Sequence, residues 1–277
     1  MRHVVLCADD YGQNLAISQG IIALLQASRL SATSCLTNAD HWLDHAKWLL
    51  PFQGKLDIGM HFNLTEGNAL STTFSHYYGS HLFSLGHLMM RAYARQLNQA
   101  VIEDECCAQL ERFVSATGML PDFIDGHQHV HQLPIVREAM LNVCAKRLCG
   151  QHFYVRCVND RLIMSDWLHG CGVKKSLILV GTCGLRRLLQ QAHIPYNTSF
   201  SGIYVFNQAQ NYATLFPRFL DGVQDGGLIM CHPGMGEQEG DPIGSVRGHE
   251  YRYFSGEQFL KDCRQKNVVI SRFFAYS

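Results

Sequence analysis

The feature that most constrains this chain is an alternation of short apolar runs with longer segments carrying apolar residues at helical spacing. Parallel strands separated by crossover helices produce that pattern, because a parallel pair needs a long connection back to the same end of the sheet. Strands are expected at His3–Ala8, Thr33–Leu36, Leu56–Met60, Phe123–Ile124, Phe153–Cys157, Ser176–Val180, Gly202–Phe206, Gly227–Cys231 and Val268–Ser271. Helices are expected over Asn14–Arg29, where Leu15, Ile17, Ile21, Ile22, Leu24 and Leu25 share a broad face, and over Asp40–Leu50, Tyr93–Thr117, Pro134–Leu148, Gly184–Ala192, Ala209–Leu220 and Glu257–Lys266. Its 277 residues, 47% of them hydrophobic, can bury one large core. The expected organisation is therefore one α/β barrel domain over residues 1–277, with insertions.

One stretch breaks the alternation. Leu70–Met90 carries Ser, Thr, Tyr, His and Gly without period and is too long for an ordinary loop, so it is expected to be an insertion over the site mouth. The inserted region as a whole is placed at about residues 70–117.

Composition removes several classes of function. Lys plus Arg equals Asp plus Glu at 23 each, so no excess positive charge is available for a nucleic-acid backbone. The 11 cysteines are spread through apolar runs without a CxxC pair, as expected of free thiols in a reducing compartment. Met1 leads directly into an apolar strand with no leader-like pattern, and no stretch reaches membrane length. A cytoplasmic protein with no membrane span is expected, and a homodimer is the base-rate expectation for its oligomeric state.

Residues of catalytic type stand just after the apolar runs: Asp9-Asp10, His61, Asp125-Gly126-His127, Arg156 and His232. In an α/β barrel the carboxyl ends of the strands meet at one mouth, which brings groups more than 200 residues apart into reach. Adjacent carboxylates in Ala8-Asp9-Asp10-Tyr11-Gly12 repel unless a cation or hydrogen-bond donors hold the charge. The bland alternative is that one caps the following helix and the other is solvated. His61 sits at a strand end, and a lone histidine there is more often structural. His127, His129 and His131 alternate, so on an extended segment they point the same way beside Asp125; a solvated turn is the alternative. His232, before Pro233-Gly234, could serve as a general acid or satisfy a backbone carbonyl. Two imidazoles and a carboxylate would leave coordination positions open, as catalytic divalent sites require. HExxH, GxSxG, P-loop and dinucleotide fingerprints are absent.

The motifs Ala8-Asp9-Asp10-Tyr11-Gly12, Gly59-Met60-His61-Phe62-Asn63-Leu64-Thr65, Asp125-Gly126-His127-Gln128-His129-Val130-His131 and Cys231-His232-Pro233-Gly234 occur in the order and spacing of the YdjC family. The chain resembles that family from near residue 3 to about 270. The family includes chitooligosaccharide deacetylases and hopanoid-biosynthesis-associated relatives. The resemblance implies a distorted, TIM-like β/α barrel of the glycoside hydrolase/deacetylase type that removes N-acetyl groups from an amino sugar or short N-acetylglucosamine oligosaccharide. It also implies one divalent metal ion held by Asp10, His61 and His127, with Asp9 as general base, His232 as the acid that protonates the departing amine, and Arg156 orienting the base. Two nitrogens and an oxygen suit zinc, cobalt or nickel, whereas the family is associated with magnesium. Leu70–Met90 carries no motif matching a chitooligosaccharide-binding loop, so the sugar stays open. The competing readings are another metal-dependent hydrolase, an esterase or phosphodiesterase, and a non-catalytic metal- or sugar-binding protein.

Overall fold

Strand β1 (Arg2–Tyr11) is buried from Val4 onward, so both of its edges can be paired. In the computed structural model, which describes residues 1–159, 172–206, 211–236 and 240–276, it lies beside β2 (Ala32–Cys35) and β7 (Gly227–Cys231). The eight-stranded parallel sheet continues through β3 (Asp57–Phe62), β4 (Phe123–Gly126) and β5 (Tyr154–Val155) on one side and β6 (Phe200–Ser201) on the other. The order is β5-β4-β3-β2-β1-β7-β6, and β8 (Val268–Ile270) pairs with the first residues of β1. All carboxyl ends therefore open on one side of a curled sheet.

Side-chain alternation links the interior of this sheet to its mouth. Val5, Cys7, Ala32, Phe123, Tyr154, Phe200, Leu228 and Met230 pack together inside the curl, with Phe273 and Phe274 against them. Two residues further along the same strand faces come Asp9 after Cys7, Ser34 after Ala32, Asp125 after Phe123, Arg156 after Tyr154 and His232 after Met230. Gly59 leaves room for this packing, since a Cβ there would overlap the Phe123 ring.

The open edges are drawn together by a side chain. Val155 N–H donates to Pro195 O, and buried Asn197 accepts from Cys157 N–H at 2.8 Å while donating to Cys157 O and Ser199 O at 2.8 Å each. Asn197 thus supplies, from its amide, the pairing that a neighbouring strand would give.

The helices follow from the connections: α1 (Leu15–Gln26), α2 (Trp42–His45), α3 (Thr72–Tyr78), α4 (Leu85–Tyr93), α5 (Gln99–Thr117), α6 (Val136–Arg147), α7 (Gly172–Gln191), α8 (Tyr212–Gly222), α9 (Gly244–Ser255) and α10 (Glu257–Gln265). Among the described residues no helix is long and apolar enough to cross a membrane.

Several expectations are corrected. Ser176–Val180 is part of α7, because a short apolar run fits either period and here merges with the expected helix at Gly184–Ala192. The pairing expected at Gly202–Phe206 falls instead on Phe200–Ser201, since Gly202 takes a φ of 110° and leaves the ladder. The inserted stretch Leu70–Met90, expected as helix and loop near the mouth, holds α3 and the start of α4: Ser71 caps α3, and the Phe74, Tyr78 and Phe83 rings pack on one another while α3 lies against α5. Asp40–Leu50 forms α2 and then a 3-10 turn, Ala46–Phe52, that runs through Pro51. Tyr93 ends α4, and α5 begins only after Asn98, whose side chain caps it. Helix α9 has no counterpart in the sequence reading. Residues 209–210 of the expected helix Ala209–Leu220 lie outside the described residues.

Replacing Asn197 with leucine should leave the Cys157 N–H unpaired in a buried position, while Cys157 O keeps its bond from Asn159 N–H. The expected loss is about 1–3 kcal/mol of unfolding free energy, from one orphaned buried group; a urea midpoint within error of the parent protein would contradict this role.

Candidate active site

Two adjacent carboxylates reach the same mouth because β1 is bulged. A regular strand would send Asp9 and Asp10 to opposite faces. Against β2 the register slips between Ala8 and Tyr11, and Asp10 takes a φ of 68°, a strained conformation that Asp tolerates better than most residues. Asp9 consequently faces Arg156 while Asp10 faces His61 and His127.

His61 stands opposite Asp125 in the β3/β4 register, and that pairing orients its ring. Nδ1 lies 2.6 Å from Asp125 Oδ1 and 3.0 Å from Ser34 Oγ, which turns Nε2 toward Asp10 Oδ1 at 3.5 Å. A carboxylate behind a histidine in this way fixes the tautomer and leaves the far nitrogen for a cation.

The three alternating histidines do not lie on an extended segment. His127–Gln132 is a tight 3-10 turn with Gln128 and His129 at φ values of 52° and 62°, made possible by Gly126, whose missing Cβ would stand 2.9 Å from His131 N. The rings diverge as a result. His127 Nδ1 contacts Asp10 Oδ1 at 3.0 Å, whereas buried His131 meets the Arg156 carbonyl through Nε2 at 2.9 Å and His129 packs edge-on to Phe200. Only His127 of the three joins Asp10 and His61, and one donor atom from each of these lies within 4.8 Å of the others.

The charges here are held far from their solution behaviour. Burial opposes ionisation of Asp10, but Arg247 at 2.8 Å and His127 outweigh it and hold the carboxyl well below its usual range. Burial likewise disfavours the imidazolium of His61, yet Asp125 and Asp10 raise it to about 10. Against the same penalty, Asp10 and Glu66 raise His127 to about 9. His232 goes the other way: burial dominates and pushes it down to about 4, so it is neutral at pH 7. Its Nε2 lies 4.0 Å from Asp9 Oδ2.

These values test the donor set for a metal. Two imidazolium protons and one divalent cation carry the same charge, so exchanging one for the other leaves this buried site electrostatically unchanged. The donors are two imidazole nitrogens and a carboxylate, which suits a divalent ion and fits the space. In a second cluster, Cys7, Asp9 and Asp125 also bring donor atoms within 4.8 Å of one another, but they already surround a cation. Arg156 places NH2 3.0 Å from Cys7 Sγ, 2.6 Å from Asp9 Oδ1 and 2.6 Å from Asp125 Oδ2, with NH1 2.7 Å from Asp9 Oδ2.

The mouth thus brings Asp9, Asp10, His61, His127, Arg156 and His232 together. Sequence reasoning missed Ser34, Glu66, Arg247 and Glu250. Glu66 lies 3.0 Å from His127 Nε2, and Arg247 and Glu250 come from α9. Glu250 accepts from His232 N–H and Tyr204 O–H, and burial raises it to about 7. Glu66 directly follows the motif that contains His61, a signal that adjacency could have supplied; Arg247 and Glu250 carried none.

Residues 3–265 match the YdjC-like protein family. The chain belongs to that family. Similar proteins include a carbohydrate deacetylase of Danio rerio, 36% identical over 150 residues covering 50% of this chain and 45% of the relative. A chitooligosaccharide deacetylase of Proteus mirabilis strain HI4320 is 34% identical over 147 residues, covering 50% and 55% respectively. The chain thus spans about half the length of the curated relatives it matches. A solved structure of an Enterococcus faecalis V583 protein, described as a candidate for cellobiose-phosphate cleavage, superposes with a TM-score of 0.71 at 17% identity, covering 98% of this chain and 97% of that one. A peptidoglycan N-acetylglucosamine deacetylase, Bc1960, gives a TM-score of 0.50 at 13% identity, covering 97% and 85%. Both likenesses concern the fold, an α/β arrangement around a parallel, curled half-barrel sheet.

Metal binding at pH 7 should release close to two protons, because His61 and His127 carry protons until the ion arrives. Affinity should rise with pH, steeply up to about 9, where His127 begins to lose its proton unaided, and less steeply from there to about 10, where His61 does. Zinc titration calorimetry in buffers of different ionisation enthalpy reads the count. Binding without proton release would contradict this electrostatic account.

Proposed function

We propose that the chain is a metal-dependent N-deacetylase of an amino sugar or short N-acetylglucosamine oligosaccharide. The observation that carries the reading is the side-by-side placement of two differently equipped carboxylates. Asp9 is gripped on both oxygens by Arg156, while Asp10 faces two histidines. The deacetylase relatives support the same reaction class.

A divalent ion held by Asp10, His61 and His127 would supply Lewis acidity toward water and the amide oxygen. Asp9 takes the proton of the attacking water as oxygen adds to the acetyl carbon. Arg156 keeps that carboxylate in one orientation. The departing nitrogen needs a proton, and His232, neutral at rest, must acquire one during the cycle. The water proton collected by Asp9 is the source within reach, since Asp9 Oδ2 and His232 Nε2 are 4.0 Å apart. Cleavage of the C–N bond then yields the amine and acetic acid, which keeps the second water proton until it ionises to acetate, with Asp9 and His232 back in their starting states.

The test is acetate release from diacetylchitobiose and triacetylchitotriose by protein loaded separately with zinc, cobalt, nickel and magnesium. Asp9→Asn should lower kcat by about 10²–10⁴-fold while keeping its metal. His61→Ala and His127→Ala should lose both metal and turnover. Absence of acetate with every metal, alongside hydrolysis of phosphodiesters, would overturn the deacetylase reading and leave a different metal-dependent hydrolase.

A further inference from the structure

Glu66 is held at the mouth with more apparatus than a surface carboxylate needs. Its backbone N–H donates to Asn63 Oδ1 at 3.1 Å, and its carbonyl accepts from Asn63 Nδ2 at 2.8 Å and Asn38 Nδ2 at 3.0 Å. Asn63 and Asn38 also bond to each other through their amides. Behind them stands Gln109 of α5, which accepts from Asn63 N–H, donates to Asn63 O and donates to Glu105 Oε1. Glu105 in turn accepts from Leu70 N–H and Ser71 N–H, the entry to α3.

Gln109 and Glu105 are fully buried, so this chain of polar groups is costly unless every member is satisfied. A loop that only had to connect β3 to α3 could be built from apolar residues. What the network fixes is the point where Glu66 leaves the loop. From there its Oε1 lies 3.0 Å from His127 Nε2, an ion-pair contact that acts on the ring through charge and is not aligned as a hydrogen bond, and Gln13 Nε2 holds Oε2 at 2.9 Å.

His127 therefore has a carboxylate on each side of its ring, Asp10 at Nδ1 and Glu66 at Nε2. His61 is arranged in the opposite sense, with Asp125 behind Nδ1 and Asp10 ahead of Nε2. We propose that Glu66 is a positioning residue for His127, holding the hydrogen on Nε2 so that Nδ1 is the nitrogen presented to a divalent ion beside Asp10. The inference rests on the metal-site reading above and extends it: the two histidines meet the ion through different ring nitrogens, each backed by its own carboxylate. The asparagine and glutamine network serves to keep the second carboxylate in place.

The experiment compares the full chain with Glu66→Ala, Glu66→Gln and His61→Ala. It reads zinc dissociation constants by chelator competition, melting temperature as a control for folding, and ¹⁵N resonances of labelled histidine in the zinc-loaded protein. The full chain should show one histidine bound through Nδ1 with Nε2–H retained. Glu66→Ala should weaken zinc about 10–100-fold, the range for losing the partner behind a ligating histidine, at an unchanged melting temperature. Glu66→Gln, which keeps an acceptor oxygen, should recover most of that loss. Zinc affinity in folded Glu66→Ala within twofold of the parent, or both histidines bound through Nε2, overturns the inference while His61→Ala still reports the metal site. Equal zinc binding by the parent and His61→Ala would instead remove the metal-site reading, and this inference with it.

Discussion

The mouth depends on one buried guanidinium. Arg156 is wholly inaccessible, and desolvating such a cation costs several kcal/mol unless anions meet it with good geometry. Asp9 on β1 does so with a hydrogen bond to each of its oxygens, and Asp125 on β4 adds an ion pair at 2.6 Å while its other oxygen is held by His61 and Ser34. That mutual dependence ties the strand ends of β1 and β4 to the residue that follows β5. It also sets the next layer of the site, since Asp125 directs His61 and His61 directs its far nitrogen at Asp10. Removing Arg156 would strip Asp9 of its two-point partner and leave Asp125 to His61 and Ser34, so its contribution cannot be separated from that of the carboxylates it neutralises.

A second balance is set by Asp10. The carboxylate faces two imidazoles on one side and Arg247 on the other, and the strained bulge at its own backbone is what brings it there. Arg247 and Glu250 stand one turn apart on α9, so one helix touches both halves of the mouth: the Asp10 carboxylate, and the backbone of His232. The mouth is therefore assembled from strand ends that supply reactive groups and from peripheral segments that fix where those groups point.

That division explains what the sequence made legible. Each strand reads as a short apolar run that stops at a polar residue, so Asp9, Asp10, His61, Asp125, His127, Arg156 and His232 were all visible as candidates, and the barrel topology was enough to bring them together. The bulge was not visible, because nothing in Ala8-Asp9-Asp10-Tyr11-Gly12 distinguishes a slipped register from a regular one. The left-handed pair Gln128-His129 was hidden in the same way, and it sends three alternating histidines to three different neighbours. Ser176–Val180 failed for a different reason, since four or five apolar residues satisfy either period. Helix α9 has charged and polar residues on every side except a narrow stripe, and its site residues read as ordinary surface charges. Residue types announce chemistry at strand ends; positioning groups look like any other polar side chain until the fold places them.

X-ray absorption at the metal edge of the zinc-loaded protein tests the central claim most directly, because the two candidate clusters differ in kind. The account predicts a first shell of nitrogen and oxygen at about 2.0–2.2 Å with the multiple-scattering signature of two imidazoles, as Asp10, His61 and His127 require. A sulfur scatterer at about 2.3 Å would put the ion with Cys7 in place of Arg156 and contradict the account.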